Sequence, residues 1–100
     1  MSTNVFADIG LPDPRTHLAK ARIVQALSRI IAEQGLTQAE AGARLGLSQP
    51  KVSALLRGQF RGYSIERLLR FVNALDHNVR IVIEAEEAGK EGRLVVAYDT

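Results

Sequence analysis

The chain lacks cysteine, long apolar runs and a secretory signal. With no cysteine among its 100 residues, it cannot form a disulfide, a thiolate metal site or a thiol nucleophile, and it fits a reducing compartment. No apolar run approaches the ~20 residues of a membrane-spanning helix. Residues 1–8 have neither the charged nor the apolar region of a secretory signal. We therefore expect one soluble, cytoplasmic domain with no membrane partner.

The groups that could carry catalysis are isolated. His17 and His77 are the only histidines, and neither has another histidine or a carboxylate at metal-ligand spacing. Glu86, Glu87 and Asp99 belong to an acidic turn and an acidic terminus. No glycine-rich loop lies between a strand and a helix. The sequence predicts no catalytic residue, no metal site and no small-molecule cofactor, so an enzyme is not expected.

The net charge of +2 is unevenly divided along the chain. Residues 1–14 carry a net charge of −2, residues 15–76 carry +6, and residues 77–100 carry −2. A basic centre between acidic ends is typical of a polyanion-binding middle whose flanks have other partners. An ordinary solvated surface is the alternative explanation.

The chain divides into an arm, a helical domain and a tail. Pro12 and Pro14 break any early helix, so residues 1–14 form an arm, whose apolar residues are expected to dock on this domain, a second copy or a partner: Val5, Phe6 and Ile9. Residues 15–76 hold four predicted helices, from about Thr16 to Gln34, Thr37 to Leu45, Ser48 to Arg57, and from Ser64 to residues 76–78. Residues 77–100 form the tail.

The tail changes from helical to alternating periodicity. Apolar residues alternate with polar ones from residue 79, residues 87–92 have turn composition, and residues 93–98 give a second strand pattern. A lone two-stranded hairpin is marginal in water. We therefore predict a C-terminal strand pair that joins two copies, with a hairpin folded onto its own domain as the alternative. The predicted contacts are Val79, Ile81, Ile83, Leu94 and Val96.

Residues 37–49 predict a helix-turn-helix. Thr37 and Glu40 have the spacing of a capping box, Gly46 lies where a left-handed residue ends a helix, and Ser48 is a second N-cap. Two short helices joined this tightly are expected to cross steeply. This geometry is best known for inserting its second helix into the DNA major groove.

The outward face of that second helix supplies candidate DNA contacts. Once Val52, Leu55 and Leu56 point inward, the predicted base contacts are Gln49, Pro50, Lys51 and Ser53. The predicted phosphate contacts are Gln38, Arg44, Arg57, Gln59 and Arg61. Solvated polar residues are the alternative for Ser53 and Gln59, and Arg57 could serve only to stabilise the helix C-terminus.

Residues 36–58 resemble the Xre family, the group of Cro and the phage repressors. Gln38 and Gln49 stand where that family often has two cooperating glutamines. Residues 4–11 and 57–69, together with the tail, resemble HigA-type antitoxins. The resemblance implies a mainly α, lambda-repressor-like bundle of four to five helices, and a homodimer that represses its own operon and neutralises a small basic RelE-like ribonuclease toxin. A stand-alone regulator and an adaptor that does not bind DNA remain alternatives.

Overall fold

A computed structural model describes residues 13–98, and this part of the chain contains four α-helices. They are α1 (Pro14–Glu33), α2 (Gln38–Leu45), α3 (Gln49–Leu56) and α4 (Ile65–Ala74). The four predicted helices are thus confirmed, with ends that differ by a few residues. The arm residues Val5, Phe6 and Ile9 lie outside the described residues.

Helix α1 begins at Pro14, a residue predicted to belong to the arm. Pro14 is the first helical residue, after Asp13 in an extended conformation (φ −67°, ψ 127°). A proline is well suited to this position because the first amide of a helix has no intrahelical partner and the ring already fixes a helical φ. The helix ends before Gly35, whose φ of +66° stops it.

The four helices enclose one apolar core. Helix α1 packs against α3 and α4, and α2 packs against α3 and α4. The side chains with almost no exposed surface come from α1, α3, α4 and the residue that follows α4: Leu27, Ile30, Val52, Leu55, Leu68 and Leu75. No polar or charged residue between positions 13 and 98 is buried. Helix α1 buries five large apolar residues at helical spacing: Ile23, Val24, Leu27, Ile30 and Ile31.

The predicted C-terminal strand pair is wrong. Residues 77–98 contain no strand, and their only regular feature is a turn in which the amide of Lys90 donates to the carbonyl of Glu87 at 3.0 Å. Alternating residues form a strand when one face is buried, but here Ile81 and Ile83 are 77% and 93% exposed. An unsupported hairpin has too little buried surface to be stable. The predicted dimerisation through strands is therefore wrong as well; its predicted contacts were Val79, Ile81, Ile83, Leu94 and Val96.

The tail is nevertheless attached to the helical domain at both of its ends. Val79, Val96 and Tyr98 are half-buried against the core. The Tyr98 hydroxyl donates to Glu33 Oε1 at 2.9 Å, and the Arg29 guanidinium lies 5.1 Å from the ring centre. The hydrogen bond to Glu33 raises the pKa of Tyr98 above its ordinary value.

None of the four helices is long and apolar enough to cross a membrane.

Candidate nucleic-acid interface

The start of α2 is fixed by a complete capping box. The Thr37 hydroxyl accepts from the amide of Glu40 at 3.0 Å, and the amide of Thr37 donates to Glu40 Oε1 at 2.9 Å. Each side chain satisfies an amide that the helix leaves without a partner. The bond that the Glu40 carboxylate accepts from the Thr37 amide, together with the nearby Thr37 side chain, holds the pKa of Glu40 below its ordinary value. The capping box predicted from the sequence is confirmed.

The turn between α2 and α3 depends on two glycines. Gly46 adopts φ +74°, which costs glycine little. The amide of the next residue, Leu47, donates to the carbonyl of Gly42 at 2.9 Å. Gly42 is buried within α2, and a Cβ there would come closer than 3.0 Å to the carbonyl oxygen of Leu47. The close approach of α2 to the turn therefore requires a residue without a side chain.

The first turn of α3 is presented to solvent. Ser48 caps the helix in an extended conformation (φ −68°, ψ 157°), and its hydroxyl accepts from the amide of Lys51 at 3.4 Å. The predicted base contacts in this turn are all exposed: Gln49, Pro50 and Lys51. On the opposite face, Val52 and Leu55 are buried in the core. The helix is thus held by its inner face while its outer face is free for a ligand.

Two predicted DNA contacts are bonded to each other. The Arg57 Nη1 group donates to the hydroxyl of Ser53 at 2.7 Å, one helical turn apart. Ser53 is half-buried and Arg57 is exposed. The bond directs the guanidinium back along α3 towards its first turn, so a predicted phosphate contact and a predicted base contact are placed together.

The loop from Arg57 to Tyr63 is anchored by one aromatic side chain. Phe60 is 5% exposed, and its ring centre lies 4.9 Å from that of His17 on α1. The neighbouring predicted phosphate contacts, Gln59 and Arg61, are exposed. The amide of Gln59 donates to the carbonyl of Ala54 at 3.0 Å, which ties the loop to α3. Phe60 therefore holds both side chains next to the C-terminal end of α3.

The Arg44 side chain forms hydrogen bonds with residues of its own chain. Its guanidinium donates to the carbonyl of Ala74 at 2.8 Å and to Asp76 Oδ2 at 2.9 Å. These bonds join the C-terminal end of α2 to the C-terminal end of α4, where Asp76 adopts φ +65°. The two bonds direct Arg44 towards the end of α4 and not towards the loop that holds Gln59 and Arg61. Its contact with phosphate stays a prediction.

The exposed surface from Ser48 to Tyr63 is cationic. It carries Lys51, Arg57 and Arg61 and contains no aspartate or glutamate. Within residues 13–98, none of these three side chains takes part in an ion pair. Gln38, the first residue of α2, is half-buried and completes the set of predicted contacts. A capped helix end with unpaired cations around it is chemically suited to a phosphate-rich ligand.

Comparison with known proteins agrees with this geometry. The model of a helix-turn-helix domain family matches residues 5–84. A solved XRE family transcriptional regulator is 42% identical, with a TM-score of 0.80, and the match covers 88% of this chain and 100% of that one. The chain belongs to the XRE family. The predicted family is thereby confirmed, and the finer likeness to HigA-type antitoxins is not addressed by these matches. The comparison with curated proteins gave no match.

Regulators of the XRE family act through their helix-turn-helix on DNA, which is consistent with the exposed face of α3. Gly42 and Phe60, which position α3 and the loop after it in this XRE protein, were not predicted from the sequence. Gly42 does have a signal, because glycine inside an alanine-rich helix costs about 1 kcal/mol and therefore points to a close approach of another main chain. The bond between Ser53 and Arg57 also has a signal in the sequence, because residues four apart lie next to each other on a helix. Nothing local marks the contact of Phe60 with His17.

The part of this XRE protein that the structure describes holds no cluster of three or more histidine, aspartate and glutamate residues that could bind a metal ion. The two histidines lie at different places: the ring of His17 packs against that of Phe60 at an angle of 40°, and His77 Nδ1 lies 2.9 Å from the carbonyl oxygen of Leu75. Since a carbonyl only accepts, Nδ1 of His77 is the donor in this contact. Both histidines therefore have structural contacts.

Proposed function

We propose that this protein is a sequence-specific transcriptional repressor that binds a double-stranded DNA operator in the cytoplasm. The observation that carries the proposal is the exposed, capped first turn of α3, which is flanked by cations and contains no acidic residue between Ser48 and Tyr63. The N-terminal residues of a recognition helix are those that reach base edges. Membership of the XRE family supports this use of the surface.

The side chains divide into two roles. Gln49, Pro50, Lys51 and Ser53 contact base edges in the major groove: glutamine is suited to adenine, and lysine to the acceptors of guanine. Gln38, Arg57, Gln59 and Arg61 contact phosphates and fix the position of the helix on the duplex. Arg44 would join them only by leaving Asp76, so it is the weakest member of the predicted phosphate set.

The two roles can be separated by experiment. A pool of random double-stranded DNA is enriched for binding to the full chain, and the enriched site is titrated by fluorescence anisotropy at several salt concentrations. Arg61→Ala should weaken binding to every sequence and lower the salt slope by roughly 1. Gln49→Ala should relax the preference at one position, by about 1–3 kcal/mol.

Arg80→Ala is the matched control, since it removes the same charge from the exposed tail. It should change neither affinity nor slope. Failure of the pool to enrich any site would contradict the proposal. So would an equal, sequence-independent loss from Gln49→Ala and Arg61→Ala.

The proposed repressor is a homodimer. Large apolar side chains on the tail are exposed, among them Ile81 and Ile83, and such a patch is typical of a protein interface. Val79 and Val96 are half-buried against their own core, so Ile81 and Ile83 are the better candidates for contacts with the second copy. Two copies would place their recognition helices on half-sites ~34–36 Å apart, one turn of DNA, or a multiple of that distance.

Light scattering coupled to size exclusion tests the dimer. Ile83→Ser should shift the protein towards the monomer and weaken binding to the paired site, whereas Ala97→Ser, a small change at an exposed residue, should not. A wild-type protein that is monomeric at micromolar concentration and protects a single half-site would contradict the dimer.

We further propose that the repressor is the antitoxin of a type II toxin–antitoxin pair. The proposal is supported by the resemblance of residues 4–11 and 57–69 to HigA-type antitoxins, and by the acidic side chains of the tail, which suit a small basic ribonuclease: Glu84, Glu86, Glu87 and Glu91. The toxin should copurify with this chain when the native operon is expressed. A neighbouring gene that encodes no such protein would leave a stand-alone regulator instead.

A further inference from the structure

Arg67, in the first turn of α4, lies against two aromatic rings. Its guanidinium carbon is 4.8 Å from the ring centre of Tyr63 and 5.5 Å from that of Phe71. Both distances are within the ~6 Å over which a cation is attracted to an aromatic ring. The two rings pack edge to face with centres 5.8 Å apart, and Phe71 is buried. The two rings, which we call the Tyr63–Phe71 platform, therefore hold the guanidinium in place.

The Arg67 guanidinium is available to an anion. Arg67 is exposed, and within residues 13–98 its guanidinium takes part in no ion pair and donates no hydrogen bond to an oxygen. The adjacent carboxylate, Glu66, is bonded to Arg70 at 2.6 Å. Arginine carries five N–H donors and stays charged at all ordinary pH values. A positioned cation with its donors unused therefore faces solvent.

The Tyr63–Phe71 platform connects Arg67 to the loop that carries predicted phosphate contacts. Tyr63 is the last residue of that loop, and its amide donates to the carbonyl of Phe60 at 3.0 Å. Phe60 is the buried residue that anchors the loop, and Arg61, one of the predicted phosphate contacts, is exposed between the two aromatic residues. Arg67 thus extends the cationic surface from the loop onto α4.

We propose that Arg67 contacts the DNA phosphate backbone next to Arg61, and that Tyr63 positions it. Arginine can donate two parallel hydrogen bonds to one phosphate group. A guanidinium that already lies on a platform loses less conformational freedom when it binds, so its contact is stronger than that of a free side chain. The inference rests on the proposed DNA-binding function and deepens it, because it extends the contacted backbone from the loop to α4.

Titration of a random-sequence DNA duplex with the full chain at several salt concentrations tests the proposal. One lost phosphate contact lowers the salt slope by about 0.9, so with 1 M salt as the reference Arg67→Ala should weaken binding about eightfold at 0.1 M and about twofold at 0.5 M. Arg70→Ala is the matched control, since it removes the same charge from the same helix at a side chain bonded to Glu66. It should leave the slope unchanged. Arg67→Lys, which keeps the charge, should restore the slope.

Two variants of Tyr63 test the positioning. Tyr63→Leu removes the ring and keeps the Arg67 charge, so it should weaken binding several-fold with little change in slope. Tyr63→Phe keeps the ring and should bind as the wild type does. Equal binding by Tyr63→Leu and the wild type would overturn the positioning role.

The contact and the repressor function can fail separately. A slope that Arg61→Ala lowers and Arg67→Ala does not would overturn the Arg67 contact alone. Equal losses of slope from Arg67→Ala and Arg70→Ala would also overturn it, because the charge would then act only through the overall field of the protein. A wild type that binds the random duplex but enriches no operator would contradict the sequence-specific repressor and not the contact. Far-ultraviolet circular dichroism shows that each variant is folded.

Discussion

Replacing Gly42 with alanine should destabilise the domain, although alanine is the better helix former. Gly42 lies inside α2 and faces the turn that leads to α3. The added Cβ would come closer than 3.0 Å to the carbonyl oxygen of Leu47 and would lie 3.4 Å from Cγ2 of Val52. A side chain in the way could rotate, but a main-chain carbonyl in a tight turn cannot. The turn itself must therefore move.

Two opposing terms set the size of the effect. Alanine in place of glycine stabilises a helix interior by about 1 kcal/mol. Overpacking costs roughly 1–3 kcal/mol, and displacement of the turn also weakens the bond from the Leu47 amide to the Gly42 carbonyl, worth about 1 kcal/mol. We expect a net loss of about 1–3 kcal/mol in the free energy of unfolding, with Tm falling by about 4–8 °C for each kcal/mol.

Urea unfolding followed by circular dichroism measures the loss. Ala43→Gly is the control: it lies in the same helix at an exposed position, so it should cost only the propensity term of about 1 kcal/mol. Gly42→Ala should in addition weaken operator binding, because a displaced turn changes the angle of α3, whereas Ala43→Gly should not. A Gly42→Ala protein that is as stable as the wild type, or more so, would refute the steric argument.

Three further predictions concern side-chain bonds. Arg44→Ala should lower the free energy of unfolding by about 1 kcal/mol, because it removes the bonds to Ala74 and Asp76. If these bonds are the only role of Arg44, the salt slope of DNA binding should not change. A slope lower by roughly 1 would show that Arg44 contacts a phosphate. Glu40→Gln keeps the capping box without a titrating group. The pKa of folded Glu40 lies below its ordinary value of 4.5. The wild type should therefore have a higher Tm than Glu40→Gln above about pH 4.5, and this difference should disappear as the pH falls through the lower pKa of the folded state. A difference in Tm that does not change with pH would contradict the lowered pKa of Glu40. In spectrophotometric titration, Tyr63→Phe should leave one tyrosine, Tyr98, that ionises above its ordinary pKa of 10.0, and the stability it contributes should be lost as the pH rises through that raised pKa; ionisation at the ordinary value would mean that the bond to Glu33 is absent in solution.

The helix-turn-helix could be predicted from the sequence because its signals are local. The capping box of Thr37 and Glu40, the left-handed Gly46 and the cap at Ser48 each depend on residues within one turn of each other. The buried stripe of α1 follows from its periodicity in the same way. The predicted contacts in the first turn of α3 are exposed because the apolar residues of that helix fix which face is buried.

The tail could not be predicted in this way. Alternation from Val79 to Glu86 shows only that the segment suits an extended conformation with one buried face, and whether a face is buried depends on what lies opposite. The contacts that do hold the tail, such as Tyr98 with Glu33, join residues 65 positions apart. Arg44 shows the same limit, because its partner Asp76 is 32 positions away.

The bond between Arg57 and Ser53 has a consequence for which base pairs α3 can favour. A serine hydroxyl has one hydrogen to donate and two lone pairs to accept with. The guanidinium of Arg57 already donates to one of those lone pairs. The hydroxyl hydrogen of Ser53 is therefore the group best placed to form a new hydrogen bond with DNA. If Ser53 contacts a base edge as proposed, edges that accept, such as guanine O6 and N7 or thymine O4, would be preferred there over the amino group of cytosine. In this chain an arginine predicted to hold the backbone would also set the polarity of the neighbouring contact to a base.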